Sequence, residues 1–151
     1  AYFNRVPDST GYVYWTGRLR TGTSAQAIAD AFASSAEFKQ TFGALDDAGF
    51  VTRVYENVLH RAPDSGGYRY WTGQLANGWT RGRVMLAFSE SKENVTVTAP
   101  KVAVVQVYEG MLRRAPDSGG WTYWVGQVGS TGSPASFIDA IRASSEYANR
   151  F

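Results

Sequence analysis

The stretch RAPDSGGYRYW at Arg61–Trp71 decides the fold, because it returns almost unchanged as RAPDSGGWTYW at Arg114–Trp124. A third version, RVPDSTGYVYW, stands at Arg5–Trp15. The closing tryptophans of the three versions are separated by 71 − 15 = 56 and 124 − 71 = 53 residues. Between 54–74 and 107–127, 15 of 21 residues are identical. This periodicity is typical of one supersecondary unit that stacks on its own copies.

The spacing divides the chain into three copies of the unit. We predict copy 1 at residues 1–45, copy 2 at 46–98 and copy 3 at 99–151. Copy 1 lacks the helix that precedes the motif in the other two copies, and we interpret it as truncated at its N-terminus. We therefore expect the chain to be the C-terminal part of a larger protein.

The residues before the motif predict a helix in copies 2 and 3. Apolar residues occur there at i, i+3, i+4, i+7 and i+8, which is helical spacing. They are Val51, Val54, Tyr55, Val58 and Leu59 in copy 2, and Val104, Val107, Tyr108, Met111 and Leu112 in copy 3. Pro63 and Pro116 cannot continue these helices, and Asp64 and Asp117 are natural N-caps for the next ones.

Shorter helices are expected in the rest of each copy. Asn77-Gly78 suits a helix end, a further helix begins near Thr80, and the repeated serine of Ser35–Phe38 caps a last turn. Pro100 suits the first turn of a helix, and only Val95–Thr98 has the composition of a strand. The predicted fold is all-α, with tandem helical repeats of three to four short helices packed into one compact array.

The composition argues against several classes of function. The chain has 15 Lys and Arg against 13 Asp and Glu, and the cations do not form a stripe that would follow a phosphate backbone. We therefore expect no nucleic-acid partner. The absence of cysteine excludes disulfides and thiolate–metal sites. The longest apolar run, around Val102–Tyr108, is too short to span a bilayer, so no membrane insertion is expected.

No catalytic residue set can be recognised. The single histidine, His60, has no histidine counterpart in the other copies, and the known nucleophile, zinc and phosphate-binding motifs are absent. The loop at Asp64–Gly67 superficially resembles a calcium loop, but it supplies one carboxylate where calcium requires about six to eight oxygen ligands. We predict neither enzymatic activity nor a bound metal or cofactor.

The block Leu-x-Arg-x-Pro-Asp-x-x-Gly-x-x-Tyr-Trp, complete at Leu59–Trp71 and Leu112–Trp124, resembles the bacterial domain of unknown function 4214. The Ser-x-Glu segments, such as Ser35–Glu37, resemble that family's closing motif. Copy 1 departs from the pattern, since Phe3 replaces the leucine and Thr10 replaces a glycine. The resemblance implies an extracellular or cell-surface accessory module, because such domains often stand in tandem beside enzymes, adhesins and calcium-binding repeats. It implies no ligand.

Each copy repeats residues that suit a carbohydrate site, which needs a flat aromatic face and a few placed polar groups. We predict a lectin-like site from the Arg, Asp, Tyr and Trp of each copy, two glutamines and one loop tryptophan. The candidate residues are Arg5, Asp8, Tyr14, Trp15, Arg61, Asp64, Tyr70, Trp71, Gln74, Trp79, Arg114, Asp117, Tyr123, Trp124 and Gln127.

Tyr70 lies beside a predicted groove, because its helical neighbours are three glycines and Gln74. A glycine recurs three residues after the tyrosine in every copy. Glycine inside a helix costs about 0.5–1 kcal/mol, so either a ligand or a neighbouring helix must approach closely. The aromatic residues also suit a structural role in the core, and the arginine also suits an ion pair with the repeated glutamate. Trp79 suits either a binding anchor or a plug over the core.

We therefore predict a non-catalytic module that attaches to a surface or cell-wall carbohydrate through several weak sites. The alternative is a protein-binding or spacer module, because stacked helical repeats offer extended surfaces to protein partners.

Overall fold

The structure is a computed structural model that describes residues 2, 3 and 5–150. Within these residues it contains ten α-helices and two π-helical turns and no strand, which confirms the predicted all-α class. The helices are α1 (Ser9–Arg20), α2 (Ala25–Ser34), α3 (Ala36–Phe42), α4 (Asp47–Val54), α5 (Ser65–Ala76), α6 (Arg81–Glu90), α7 (Lys92–Val107), α8 (Ser118–Thr131), α9 (Ala135–Arg142) and α10 (Ser145–Ala148). The π-helical turns follow α4 at Tyr55–Leu59 and α7 at Tyr108–Leu112.

Side-chain caps determine where several helices begin. The carboxylates of Asp64 and Asp117 each accept a hydrogen bond of 2.8 Å from the backbone N–H three residues further on, as predicted. Asp46 caps α4 and Thr80 caps α6 in the same way. Gly78 follows α5 with a φ of 88°, a left-handed conformation that ends the helix where the sequence predicted.

One repeated serine joins two helices in every copy. The Ser35 hydroxyl donates to the Phe32 carbonyl at the end of α2 and accepts from the Phe38 N–H in α3. Ser91 and Ser144 make the equivalent pair of bonds in copies 2 and 3. The hydroxyl therefore ends one helix and starts the next, as expected for the closing segment.

Two local predictions about the connection between copies 2 and 3 are wrong. Val95–Thr98 is helical. The helix is capped at Ser91, and the Val95 N–H donates a hydrogen bond of 2.9 Å to the Ser91 carbonyl. An isolated strand would instead leave its backbone groups unpaired. Pro100 lies inside α7 and not in a first turn. Proline removes one hydrogen bond of the helix there, but the helix continues to Val107.

By its contacts the chain divides into two units, each with its own core. The first contains Gly17–Thr96 with the described residues of Ala1–Arg5, and the second contains Val6–Thr16 with the described residues of Val97–Phe151. The first core consists of Phe38, Phe42, Phe50, Val51, Val54, Tyr55, Val58, Leu75, Val84, Met85 and Phe88. The second consists of Val104, Val107, Tyr108, Leu112, Val128, Phe137 and Ile141.

Within the first unit, α2 and α6 pack against each other, and they are equivalent helices of copies 1 and 2 (81 − 25 = 56). Gly82 permits the close approach, because a Cβ atom at this position would lie 3.1 Å from the Ala29 carbonyl oxygen and would overlap the Asp30 carboxylate. The Thr80 hydroxyl donates to the same carboxylate at 3.2 Å.

Candidate functional site

The arginine of each motif forms a two-point ion pair with the glutamate of the closing segment. The pairs are Arg5–Glu37, Arg61–Glu93 and Arg114–Glu146. In copy 2 the Arg61 Nε and Nη2 atoms donate to the two carboxylate oxygens at 2.8 and 3.0 Å. The hydrogen bond from Arg61 lowers the pKa of Glu93, and Arg114 does the same to Glu146. This is the structural role that the sequence left open for the arginine.

A buried tyrosine supports the arginine from beneath. The Arg61 guanidinium lies 5.0 Å from the centre of the Tyr55 ring, and the Tyr55 hydroxyl faces Gly67 so closely that a Cβ atom there would overlap it. Copy 3 repeats both contacts around Tyr108, and burial raises the pKa of Tyr108. The candidate set omitted Tyr55 and Tyr108, although their spacing of 108 − 55 = 53 matches the repeat. The motif glycine is thus required by this tyrosine.

One residue with a left-handed backbone conformation follows each π-helical turn and directs the chain towards the motif. His60 has a φ of 54° and Arg113 has a φ of 49°. Such a conformation is uncommon for residues other than glycine, and here it ends the helix ahead of the motif. His60 therefore has a backbone role that Arg113 repeats in copy 3.

The motif aspartate combines a cap with an ion pair. Asp64 accepts from the Gly67 N–H and lies 3.7 Å from Arg61 Nη1. The backbone hydrogen bond lowers the pKa of Asp64, and the equivalent bond lowers that of Asp117. In copy 1, the Asp8 carboxylate accepts from the Gly11 N–H at 2.7 Å.

The motif tryptophans of copies 2 and 3 pack on the cores. The Trp71 ring centre lies 4.7 Å from that of Phe88, and the Trp124 ring stacks on Phe137 at 4.4 Å. Both indoles are half-buried, as is Trp15. These side chains close the gap between the motif helix and the helix that follows it.

Trp79 is also half-buried against the first core. Its ring centre lies 6.4 Å from that of Trp71, and the Arg83 guanidinium lies 3.8 Å from the centre of the same ring. Trp79 therefore covers part of the core. The position corresponds to the plug that the sequence offered as one of two interpretations.

The motif tyrosines point away from the core. Tyr14, Tyr70 and Tyr123 are 55%, 52% and 58% exposed. The Tyr70 ring stands edge-on to Trp71 with ring centres 4.9 Å apart, and the other two copies have the same geometry within 0.1 Å. In copies 2 and 3 the core holds the tryptophan, and the tryptophan in turn holds the exposed tyrosine in a defined orientation.

Open space surrounds the glycine one turn after each tyrosine. A Cβ atom added at Gly17, Gly73 or Gly126 would meet nothing within 4 Å beyond the helix itself. One residue further on, Gln74 is half-buried and Gln127 is exposed. No neighbouring helix therefore explains these glycines within the part of the chain that the structure describes.

The structure thus separates the candidate residues into two groups. The arginine and aspartate lie together at the start of the motif helix, whereas Tyr70 lies six residues after Asp64, about 9 Å further along the axis. In residues 2, 3 and 5–150 no helix is long and apolar enough to cross a membrane. The same residues contain no group of three or more His, Cys, Asp or Glu side chains arranged to hold a metal ion.

A family model described as Domain of unknown function (DUF4214) matches residues 1–42, 29–98 and 102–151. The chain belongs to this family. No curated protein and no solved structure matches it. The DUF4214 motif acquires a structural meaning here, since its Arg, Asp, Gly and Trp build and brace the helical unit. Its tyrosine is the member that the fold leaves exposed.

Proposed function

We propose that this DUF4214 chain is a non-catalytic, lectin-like module that binds a surface or cell-wall carbohydrate through its motif tyrosines. The observation that carries the proposal is the exposed tyrosine beside an open glycine, which recurs in all three copies. A half-exposed aromatic ring suits the C–H face of a sugar, because the ring face carries partial negative charge.

The glycine strengthens the argument because the fold itself gains nothing from it. Glycine inside a helix costs about 0.5–1 kcal/mol relative to alanine. Gly73 and Gly126 nevertheless stand on the same helical face as the tyrosine, with open space above them. A ligand that lies along the helix would account for this, and the amides of Gln74 and Gln127 one turn away supply both donors and acceptors for hydroxyl groups.

One exposed ring gives a weak site, so the proposed attachment depends on several copies acting together. A tethered second site raises the overall affinity without new contacts at either site. The extracellular or cell-surface location is part of the proposal and is supported by the family resemblance of the motif.

The proposal is tested by a glycan-array screen of the chain at high protein loading, followed by retention on the glycan that binds best. Substituting Tyr70 and Tyr123 together by Ala should reduce retention to near background, because the Tyr14 ring alone remains and one weak site does not hold the chain. The far-ultraviolet circular dichroism should be unchanged. The matched control replaces the exposed neighbours Arg69 and Thr122 by Ala, which should leave retention intact. Replacing both tyrosines by Phe should retain most of the binding.

Two results would contradict the proposal. The first is an empty array from protein shown to be folded. The second is full retention after loss of both tyrosine rings. Either result would favour the protein-binding or spacer function.

A further inference from the structure

The pairing of α2 with α6 defines a contact face that every copy of the unit possesses. On α2, Ala29 and Asp30 lie against Gly82 of α6. Gln26 and Ala33 stand on the same side of α2, because residues three and four positions apart are neighbours on a helix. The residues of α6 equivalent to these four are Gly82, Met85, Leu86 and Ser89. All eight are buried or half-buried, and the two helices pack closely enough for Gly82 to exclude a side chain.

The equivalent face of copy 3 lies on α9, 53 residues after that of α6. Its residues are Ala135, Ile138, Asp139 and Arg142. Ala135, Asp139 and Arg142 are exposed, and Ile138 is half-buried because it packs partly on the second core. The surface that is covered in copies 1 and 2 is therefore open in copy 3.

We propose that the α9 face is the contact through which two copies of this chain associate, with α9 of one against α9 of the other. Copies 1 and 2 show that this helix packs on its own equivalent within one chain. A surface that is complementary to its equivalent forms a closed two-fold contact when it meets an identical copy. The inference does not depend on the proposed carbohydrate binding.

The polar residues of the α9 face suit the same partner. In the α2–α6 pair, the Asp30 carboxylate accepts from the Thr80 hydroxyl. The equivalents of these residues in copy 3 are Asp139 and Ser133, so each Asp139 carboxylate would accept from the Ser133 hydroxyl of the second copy. Asp139 and Arg142 carry opposite charges on an exposed face, which suits a self-complementary contact.

One difference sets the strength of the contact. Where α6 has Gly82, α9 has Ala135, and the extra methyl group holds the helices slightly further apart. A contact between two short helices also falls well below the area of about 1,200–2,000 Å² that stable complexes bury. The dimer is therefore weak, with a dissociation constant on the order of 100 μM.

Sedimentation velocity over a concentration series from about 10 μM to about 1 mM tests this inference. The wild-type chain should show a concentration-dependent shift from monomer to dimer. Ala135→Gly should tighten the association several-fold, because it restores the close approach seen at Gly82. Ala135→Glu should weaken it at least about tenfold, because it adds bulk and a negative charge beside Asp139.

Ser136→Glu is the matched control, since Ser136 is exposed on the neighbouring side of α9. It introduces the same charge one residue away and should leave the association constant unchanged. Glutamate in the first turn of a helix is favourable, so neither glutamate variant should unfold the chain. A chain that stays monomeric throughout the series would overturn the inference, and so would a dimer that Ala135→Glu and Ser136→Glu weaken equally or not at all.

Discussion

The two faces of α5 differ in whether contacts within the fold explain why their residues repeat. On the inner face, Trp71 packs on Phe88, and the absence of a side chain at Gly67 leaves room for the Tyr55 hydroxyl. On the outer face, Tyr70 is half-exposed and Gly73 has no neighbour. Both faces repeat on α8. A repeated residue can therefore be required by packing or by something outside the chain, and the contacts separate the two cases.

The largest expected effect distinguishes the two adjacent aromatic residues. Trp71→Ala should lower the free energy of unfolding by about 3 kcal/mol, because it removes a ring that closes the core. Tyr70→Ala should change it by less than about 0.5 kcal/mol, because most surface substitutions are near neutral. Urea denaturation monitored by circular dichroism measures both values.

The equivalent variants at Trp124 and Tyr123 provide an internal control in the second unit. They should reproduce the same contrast, since Trp124 also packs on a buried phenylalanine and Tyr123 is exposed like Tyr70. A large loss of stability in both tyrosine variants would show that the outer face is structural, and it would remove the comparison on which the proposed function rests.

A smaller effect of opposite sign is expected at the two glycines. Gly67→Ala should destabilise the chain by about 1–3 kcal/mol, because the new methyl group forces the buried Tyr55 ring to move. Gly73→Ala should stabilise it by about 0.5–1 kcal/mol, because alanine is the better helix former and the space is open. The same denaturation assay measures both variants.

A rescue experiment identifies the cause of the Gly67 effect. Tyr55→Phe removes the hydroxyl that faces this position, so the Gly67→Ala, Tyr55→Phe double variant should recover part of the loss. If the double variant is no more stable than the sum of the two single effects predicts, the contact between these two residues is not the reason for the glycine at this position.

The smallest effect concerns the ion pair between Arg61 and Glu93 and its dependence on pH. The hydrogen bond from Arg61 lowers the pKa of Glu93 below its ordinary value of 4.5. The pair therefore contributes stability above that value and loses it as the pH falls through the lowered pKa. Because both side chains are substantially exposed, the contribution is small.

Glu93→Gln tests this pH dependence. Its urea midpoint should lie slightly below that of the wild type at neutral pH, and the difference should shrink as the pH falls below 4.5 and passes through the lowered pKa of the wild-type carboxylate. Glu146→Gln should behave in the same way in copy 3. A difference that stays constant with pH would show that the glutamate acts through packing and not through its charge.

Much of the fold followed from the sequence because its signals are local. The caps at Asp64, Asp117 and Thr80, the helix end at Gly78 and the joining serines all depend on residues within a few positions of each other. Val95–Thr98 has the β-branched composition of a strand but lies inside α7, because the cap at Ser91 and the neighbouring residues of the chain impose the helical state.

The candidate site was harder to predict because exposure depends on contacts between distant residues. Tyr70 and Trp71 are adjacent aromatic residues that the sequence alone does not distinguish. In the structure, however, Trp71 packs on Phe88 and Tyr70 faces solvent. The role of Tyr55 was missed because it depends on Gly67, which lies in another helix. Trp79 gave no local signal that distinguishes a plug from an anchor.

The ion pairs close segments of equal length, although the motif itself recurs at unequal intervals. The separations are 37 − 5, 93 − 61 and 146 − 114, each 32 residues. The connections between them differ instead, with 61 − 37 = 24 and 114 − 93 = 21. The difference of three residues therefore falls outside the closed segment. The first connection passes through a loop between α3 and α4, whereas the second continues along α7 and the π-helical turn. A segment chosen for transplanting or recombining this domain should thus keep the interval from arginine to glutamate intact, together with the preceding helix that carries the supporting tyrosine.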